Sequence, residues 1–158
     1  MPIMDLRNGK DELQFLKRND LEELSTRGTA SPDHVIRIKS RPLVLRESVW
    51  SKGREAIKKE LDKYAKAYKA MFERQAPLAN QPKTMLPTDP KTIWMEGIGL
   101  IGLGANAKAA SIAGDLVVQN ARVRAIGEDA GGFVATLSRA IHLIPKRTLR
   151  HPLCHEVG

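Results

Sequence analysis

The sequence has few of three features that often define a protein's class: cysteines, aromatic residues and long apolar runs. Its 158 residues include one cysteine, Cys154, so no internal disulfide can form. No stretch approaches the roughly 20 apolar residues that a membrane-spanning helix needs, and the first residues lack the layout of a signal peptide. These absences predict a cytoplasmic protein with no membrane partner.

Aromatic residues make up only 4% of the chain, which bears on the core. With few large rings available, we expect a thin core built mainly from Ala, Leu, Ile and Val. The formal net charge of +8 raises the question of an anionic partner such as nucleic acid. Because acidic and basic residues interleave between Glu47 and Arg74 and no nucleic-acid-binding motif is present, no nucleic-acid partner is predicted.

The spacing of apolar residues and of turn residues predicts an α/β fold. A strand interrupted by Pro42 is expected over residues 34–45, and a helix over about 51–74, where apolar residues recur at helical spacing. A second strand is expected at Thr92–Met95, and a second helix after Asn106, which can cap it. The order strand, helix, strand, helix predicts a small layer with parallel strands.

A glycine-rich segment, 97–104, lies between the second strand and the second helix. Gly97, Gly99 and Gly102 match the G-x-G-x-x-G spacing, in which the backbone approaches a pyrophosphate at a helix start. The acidic partner for a ribose should follow about 20 residues later, and Asp115 falls inside the helix instead. Two interpretations stay open, namely a cofactor-binding turn and a tight turn without a ligand.

Asp33, His34, Arg37 and Lys39 form a candidate substrate-binding cluster. His34 has the chemistry of an acid or base, and Arg37 and Lys39 can hold an anionic group. In a regular strand, Arg37 and Lys39 would share one face and His34 would lie on the other. A hydrogen-bonded structural corner is the more ordinary interpretation of the same residues.

Metal-ligating residue types gather near the end of the chain, where His151, Cys154 and His155 are closely spaced. Pro152 prevents a helix from aligning the two histidines, and His142 is the remaining candidate in this region. No metal site is therefore predicted. No catalytic residues are assigned either, because no serine nucleophile with a supporting histidine and aspartate can be assembled from motifs.

The string over residues 27–39, together with residues 42–45, resembles a signature of proteins that fuse a class II (adducin-type) aldolase to a short-chain dehydrogenase. The resemblance covers about residues 20–120, although Ile38 replaces a threonine and Glu96 replaces a proline. This family includes the bifunctional rhamnulose-phosphate aldolase and lactaldehyde dehydrogenase fusions. The matching positions in the string are Gly28, Thr29, Pro32, Asp33, His34, Arg37 and Lys39.

The resemblance implies that the chain is an internal piece of such a fusion. Residues 1–27 would end an aldolase-like region, 28–134 would form a bridging α/β segment, and 135–158 would form a poorly ordered or divergent basic tail. The remaining aldolase and dehydrogenase domains would be its partners. The alternative is a free-standing nucleotide-binding or scaffold module that uses residues 97–104.

The parent chemistry implied by the resemblance is zinc-assisted retro-aldol cleavage of a sugar phosphate, followed by NAD-dependent oxidation of the aldehyde. In the family, the zinc ligands and the NAD-binding glycines lie outside the segment matched here. We therefore expect no cofactor in this chain and no activity from it alone. Under this interpretation, the match of the glycine-rich segment to a dinucleotide fingerprint is incidental.

Overall fold

The computed structural model describes residues 2–79 and 82–132. The strands are β1 (Ile3–Arg7), β2 (Leu43–Leu45), β3 (Thr92–Met95) and β4 (Gly99–Gly104). The helices are α1 (Lys10–Leu16), α2 (Leu21–Thr26), α3 (Pro32–Ile38), α4 (Glu47–Trp50), α5 (Arg54–Gln75) and α6 (Ala107–Asp129), with a 3-10 turn at Ala76–Leu78. Within these residues no helix is long and apolar enough to cross a membrane.

The strands form one mixed sheet in the order β1-β4-β3-β2. The α/β class is confirmed, but only β2 and β3 are parallel, whereas β4 is antiparallel to both β3 and β1. The parallel pair is joined by the long connection that contains α5, as a parallel pair requires. A tight turn joins β3 to β4 and permits only an antiparallel hairpin, so the expectation of a purely parallel layer was wrong.

The glycine-rich segment is a strand rather than a turn between strand and helix. Gly97, with φ of 77°, lies in the hairpin turn, while Gly99 and Gly102 lie in β4. A Cβ atom on Gly102 would meet the backbone nitrogen of Gly114 and lie 2.7 Å from the carbonyl oxygen of Ala110, both on α6. The glycines of β4 thus let α6 approach the strand, and the predicted strand-loop-helix arrangement is not formed.

Residues 34–39 were expected to be extended, but Pro32–Ile38 form the helix α3. Pro32 occupies the first helical position, where its fixed φ is favourable and its missing N–H is no loss. The apolar and polar alternation there is too short to separate a strand from one helical turn. The strand at Thr92–Met95 and the helix near 51–74 are confirmed, the latter as α5.

The core lies between the sheet and the helices α1, α2 and α6. Trp94 and Phe15 meet edge to face with ring centroids 4.9 Å apart, so two of the few aromatic residues sit at its centre. The aliphatic part of this cluster consists of Leu16, Leu21, Leu24, Leu100, Val117 and Ala121. The expected aliphatic core is present, and an aromatic pair is added to it.

Residues from both halves of the described chain contribute to this one sheet. β1 pairs with β4, with Ile3 opposite Gly104, so residues before and after position 27 share a sheet and a core.

The helix α6 begins after Asn106, as predicted, and the Asn106 side chain accepts a hydrogen bond of 2.8 Å from the backbone nitrogen of Ala109. The segments 1–27, 28–134 and 135–158 stay predictions, and residues 133–158 lie outside the described part.

We expect Gly102→Ala to lower the free energy of unfolding by roughly 1–3 kcal/mol, because its methyl group meets helix backbone that cannot move aside. Gly9→Ala is the matched control: Gly9 has an ordinary φ of −63°, and its added Cβ meets only the movable carboxylate of Glu12. Urea unfolding followed by circular dichroism measures both. Equal stability of the two variants would contradict the close approach of α6 to β4.

Candidate functional site

The helix α3 does not bring the four predicted substrate-binding residues together. Asp33 lies in the first turn of α3, and Arg37 is exposed on its last turn. His34 is buried, with its Nδ1 2.6 Å from the hydroxyl oxygen of Ser31. Lys39 follows the helix and is buried. Arg37 is thus exposed and Lys39 is buried, whereas the predicted strand would have placed both side chains on one face.

Lys39 is the most unusual of these residues. It is only 4% exposed, and its backbone has φ of 62° and ψ of 170°, a region that side chains rarely adopt. Its ammonium group donates hydrogen bonds to the carbonyl oxygens of Pro87 and Asp89, at 2.5 Å and 2.7 Å. The ammonium therefore links the loop that contains Pro87 and Asp89 to the segment between α3 and β2.

Two tyrosines of α5 complete the surroundings of this ammonium. The Lys39 Nζ lies 3.9 Å from the ring centroid of Tyr68 and 5.9 Å from that of Tyr64. The Tyr64 hydroxyl donates a hydrogen bond of 2.9 Å to the carbonyl oxygen of Arg41. Lys39 and these tyrosines border a pocket of about 40 Å³, which has room for a few water molecules and not for a sugar phosphate.

Burial shifts the pKa values of all three side chains. It lowers the pKa of Lys39 from 10.5 to about 8, helped by the positive charge of Lys91 and opposed by Asp89. It raises the pKa of the Tyr64 hydroxyl well above its usual range, and that of Tyr68 in the same direction. Compared with water, the folded protein thus favours the uncharged forms of the Lys39, Tyr64 and Tyr68 side chains.

A second buried cation, Arg124 of α6, was not identified from the sequence. Its side chain is fully buried, and burial lowers its pKa, yet a guanidinium stays charged at neutral pH. It donates hydrogen bonds of 3.0 Å to the carbonyl oxygen of Leu24 and 3.2 Å to that of Ser40, and it lies 5.2 Å from the Trp94 ring centroid. Arg124 therefore joins α2 and the 39–40 segment to α6.

The sequence did contain a signal for this arginine. Arg124 follows Val117 by seven residues and Ala121 by three, which places it on the buried stripe of α6. A charged residue at a stripe position implies a buried partner set, because an unpaired buried charge is costly. The partners are backbone carbonyls, which no side-chain pattern reveals.

A groove of about 430 Å³ lies between α1 and α6 and has a partly apolar lining that includes Phe15 and Leu100. This volume is in the range of ligand pockets. The charged groups at its mouth already pair with one another, since Arg122 lies 3.5 Å from Glu12 and Arg18 is 2.9 Å from Asp129. The groove offers surface for binding but no free acid or base.

The described residues contain no group of three or more metal-capable side chains. The candidates His142, His151, Cys154 and His155 lie outside the described residues. The expectation that the chain holds no zinc stays a prediction.

Comparison with known proteins gives one match. The family model described as aldolase class II, second domain, matches residues 1–142, which include every described element. No curated protein and no solved structure matches the chain. The family match agrees with the aldolase part of the resemblance found in the sequence.

The buried lysine predicts an unusual pH dependence of stability. Between about pH 8 and 10 the unfolded chain keeps the Lys39 proton that the folded chain has lost, so the free energy of unfolding should rise with pH by at most about 1.4 kcal/mol per unit. Above pH 10 the raised pKa values of Tyr64 and Tyr68 reverse the trend. Urea unfolding from pH 7 to 11 measures this, and Lys39→Met should remove the rise. A rise of equal size in Lys39→Met would contradict the assignment.

Arg124→Met should lower the free energy of unfolding by about 2–4 kcal/mol, because the buried carbonyl oxygen of Ser40 loses the guanidinium donor and that of Leu24 keeps only the backbone N–H of Arg27. Arg122→Met provides a matched control on the same helix, since Arg122 is exposed and its ion pairs contribute about 0–1 kcal/mol. Thermal and urea unfolding of both variants test this difference. Similar losses in the two variants would show that Arg124 does not hold these segments.

Proposed function

Because the chain belongs to the family of class II aldolase second domains, we propose that it is a non-catalytic bridging domain of a longer aldolase polypeptide. In this proposal the parent protein is a bifunctional sugar-phosphate aldolase and short-chain dehydrogenase. Zinc serves the aldolase reaction and NAD serves the dehydrogenase reaction, each in a domain outside this chain. The remaining aldolase and dehydrogenase domains are its partners, in the cytoplasm.

One observation carries the non-catalytic role: the two buried cations are both bound by main-chain carbonyl groups. Lys39 binds the carbonyl oxygens of residues 87 and 89, and Arg124 binds those of residues 24 and 40. A cation that binds substrate needs donors directed at the ligand, whereas these donors are directed at the connecting segments. The region predicted to bind substrate therefore resembles a structural junction.

The alternative, a nucleotide-binding module, needs the glycines to leave room for a pyrophosphate. A Cβ atom on Gly99 would lie 2.6 Å from the carbonyl oxygen of Arg7, and one on Gly102 would meet the backbone of α6. The space beside these glycines is filled by the protein's own backbone. This favours the bridging role over nucleotide binding at Gly99 and Gly102, while Gly97 lies in the hairpin turn and not at the start of a helix.

Reading the DNA on both sides of the coding sequence tests the bridging role. The proposal expects a class II aldolase domain encoded upstream and a short-chain dehydrogenase domain with its own glycine fingerprint encoded downstream. Flanking DNA that encodes neither domain would overturn it.

The nucleotide-binding alternative has a direct test on the chain itself. We expect saturating NAD to leave the melting temperature unchanged, because the backbone fills the space beside the glycines. A true site at 100 times its dissociation constant would instead stabilise the fold by roughly 2.7 kcal/mol. Differential scanning calorimetry with and without NAD distinguishes the two, with ADP-ribose as a second ligand. A saturable rise in melting temperature would support the alternative and contradict the bridging assignment of these glycines.

A further inference from the structure

One face of the sheet is only partly covered. The helix α6 packs on one face, where Gly102 and Trp94 lie, and α5 packs against β2 on the other. The register places Met4 opposite Leu103 on this second face. We call Met4, Leu6, Ile93 and Leu103 the open face; Ile101, which lies between Leu6 and Ile93 on the same side of the sheet, is buried.

The open face is apolar and most exposed at its β1 edge. Met4 is 64% exposed and Leu6 is 46% exposed, while Ile93 and Leu103 are half-buried. By contrast, Leu43 at the β2 end and Ile101 in the middle of the same face are buried. Adjoining exposed apolar side chains of this kind mark interaction surfaces.

The β1 strand lacks the usual protection of a sheet edge. It pairs with β4 on one side only and with no other strand in the described residues. Its charged residues, Asp5 and Arg7, are directed towards α6, where Arg7 lies 2.8 Å from Asp5 and 2.9 Å from Asp115. β1 therefore has no charged side chain on the open face that would hinder association with another chain.

The helix α5 also lacks a full partner within the described part of the chain. It has 22 residues, a length of about 33 Å, yet none of them is fully buried. Its apolar stripe is only half-buried and consists of Ile57, Leu61, Tyr64, Tyr68 and Phe72. The open face and α5 together form a surface that residues 2–79 and 82–132 do not cover.

We propose that this surface docks against the aldolase catalytic domain that precedes it in the parent polypeptide, an inference that rests on the proposed function. The matching family is by description a second domain, so a first domain is its natural neighbour. A preceding domain would be joined next to β1, within a few residues of Met4 and Leu6. Such a tether gives an effective concentration of about millimolar, so a modest apolar contact suffices.

The charge of the chain argues against a second copy as the occupant. At a formal net charge of +8, two copies repel each other when their surfaces meet. A catalytic domain of another composition carries no such penalty.

The test uses the full chain and a separately expressed catalytic domain, taken from a class II aldolase whose own sequence includes this second domain. Isothermal titration calorimetry compares the chain with the double variant Met4→Glu/Leu6→Glu. The matched control is Ile36→Glu/Ile126→Glu, which places the same charges at exposed positions of α3 and α6, two helices that pack against each other away from the open face. We expect the dissociation constant to rise at least about tenfold for the first variant and to stay unchanged for the control.

Three outcomes would overturn the docking proposal. They are no binding at millimolar catalytic domain, equal weakening by both double variants, and a dimer of this chain in sedimentation experiments that Met4→Glu/Leu6→Glu dissolves. None of them contradicts the bridging role, which the sequence of the flanking DNA tests separately. Flanking DNA without an aldolase domain would instead remove the bridging role itself, so the two failures are distinguishable.

Discussion

The close contact between α6 and β4 is the constraint on which the rest of the fold depends. Because Gly102 and Gly104 have no side chains, the helix backbone lies directly on the strand. This approach brings Val117 and Arg124 of α6 into the same core as Trp94. A larger residue at either position would move α6 away from β4 and open that core. The glycines of β4 are therefore required for packing.

The buried cations compensate for connecting segments that have little regular structure. Among the described residues of 27–42 and 82–91 the one helix is α3, and loops and helix ends of this kind leave backbone carbonyls short of partners. Lys39 and Arg124 supply the missing donors from inside the protein. A lysine that the sequence made a candidate for substrate binding here satisfies main-chain groups, as does an arginine that the sequence did not single out.

The sequence predicted the long helix α5 and the four-residue strand β3, whose β-branched and aromatic residues are typical of a strand, but it failed at α3 and β1. The helix α5 and the cap at Asn106 follow from spacing and capping chemistry over many residues. The α3 residues alternate over only a few positions, and β1 is five residues long, so neither pattern distinguishes helix from strand. The roles of Lys39 and Gly102 depend on backbone atoms of distant segments, which no local pattern encodes.

The pairing of β1 with β4 has a consequence for how the protein folds. Ile3 meets Gly104, about 100 residues later in the chain, so the edge strand has nothing to pair with until β4 has been synthesised and has formed its hairpin with β3. Closing so long a loop is slow compared with forming the local helices. During that interval the backbone N–H and C=O groups of β1 have no partner strand, and the side chains of Met4 and Leu6 are exposed. Of the four strands, β1 is therefore the one most in need of protection during synthesis.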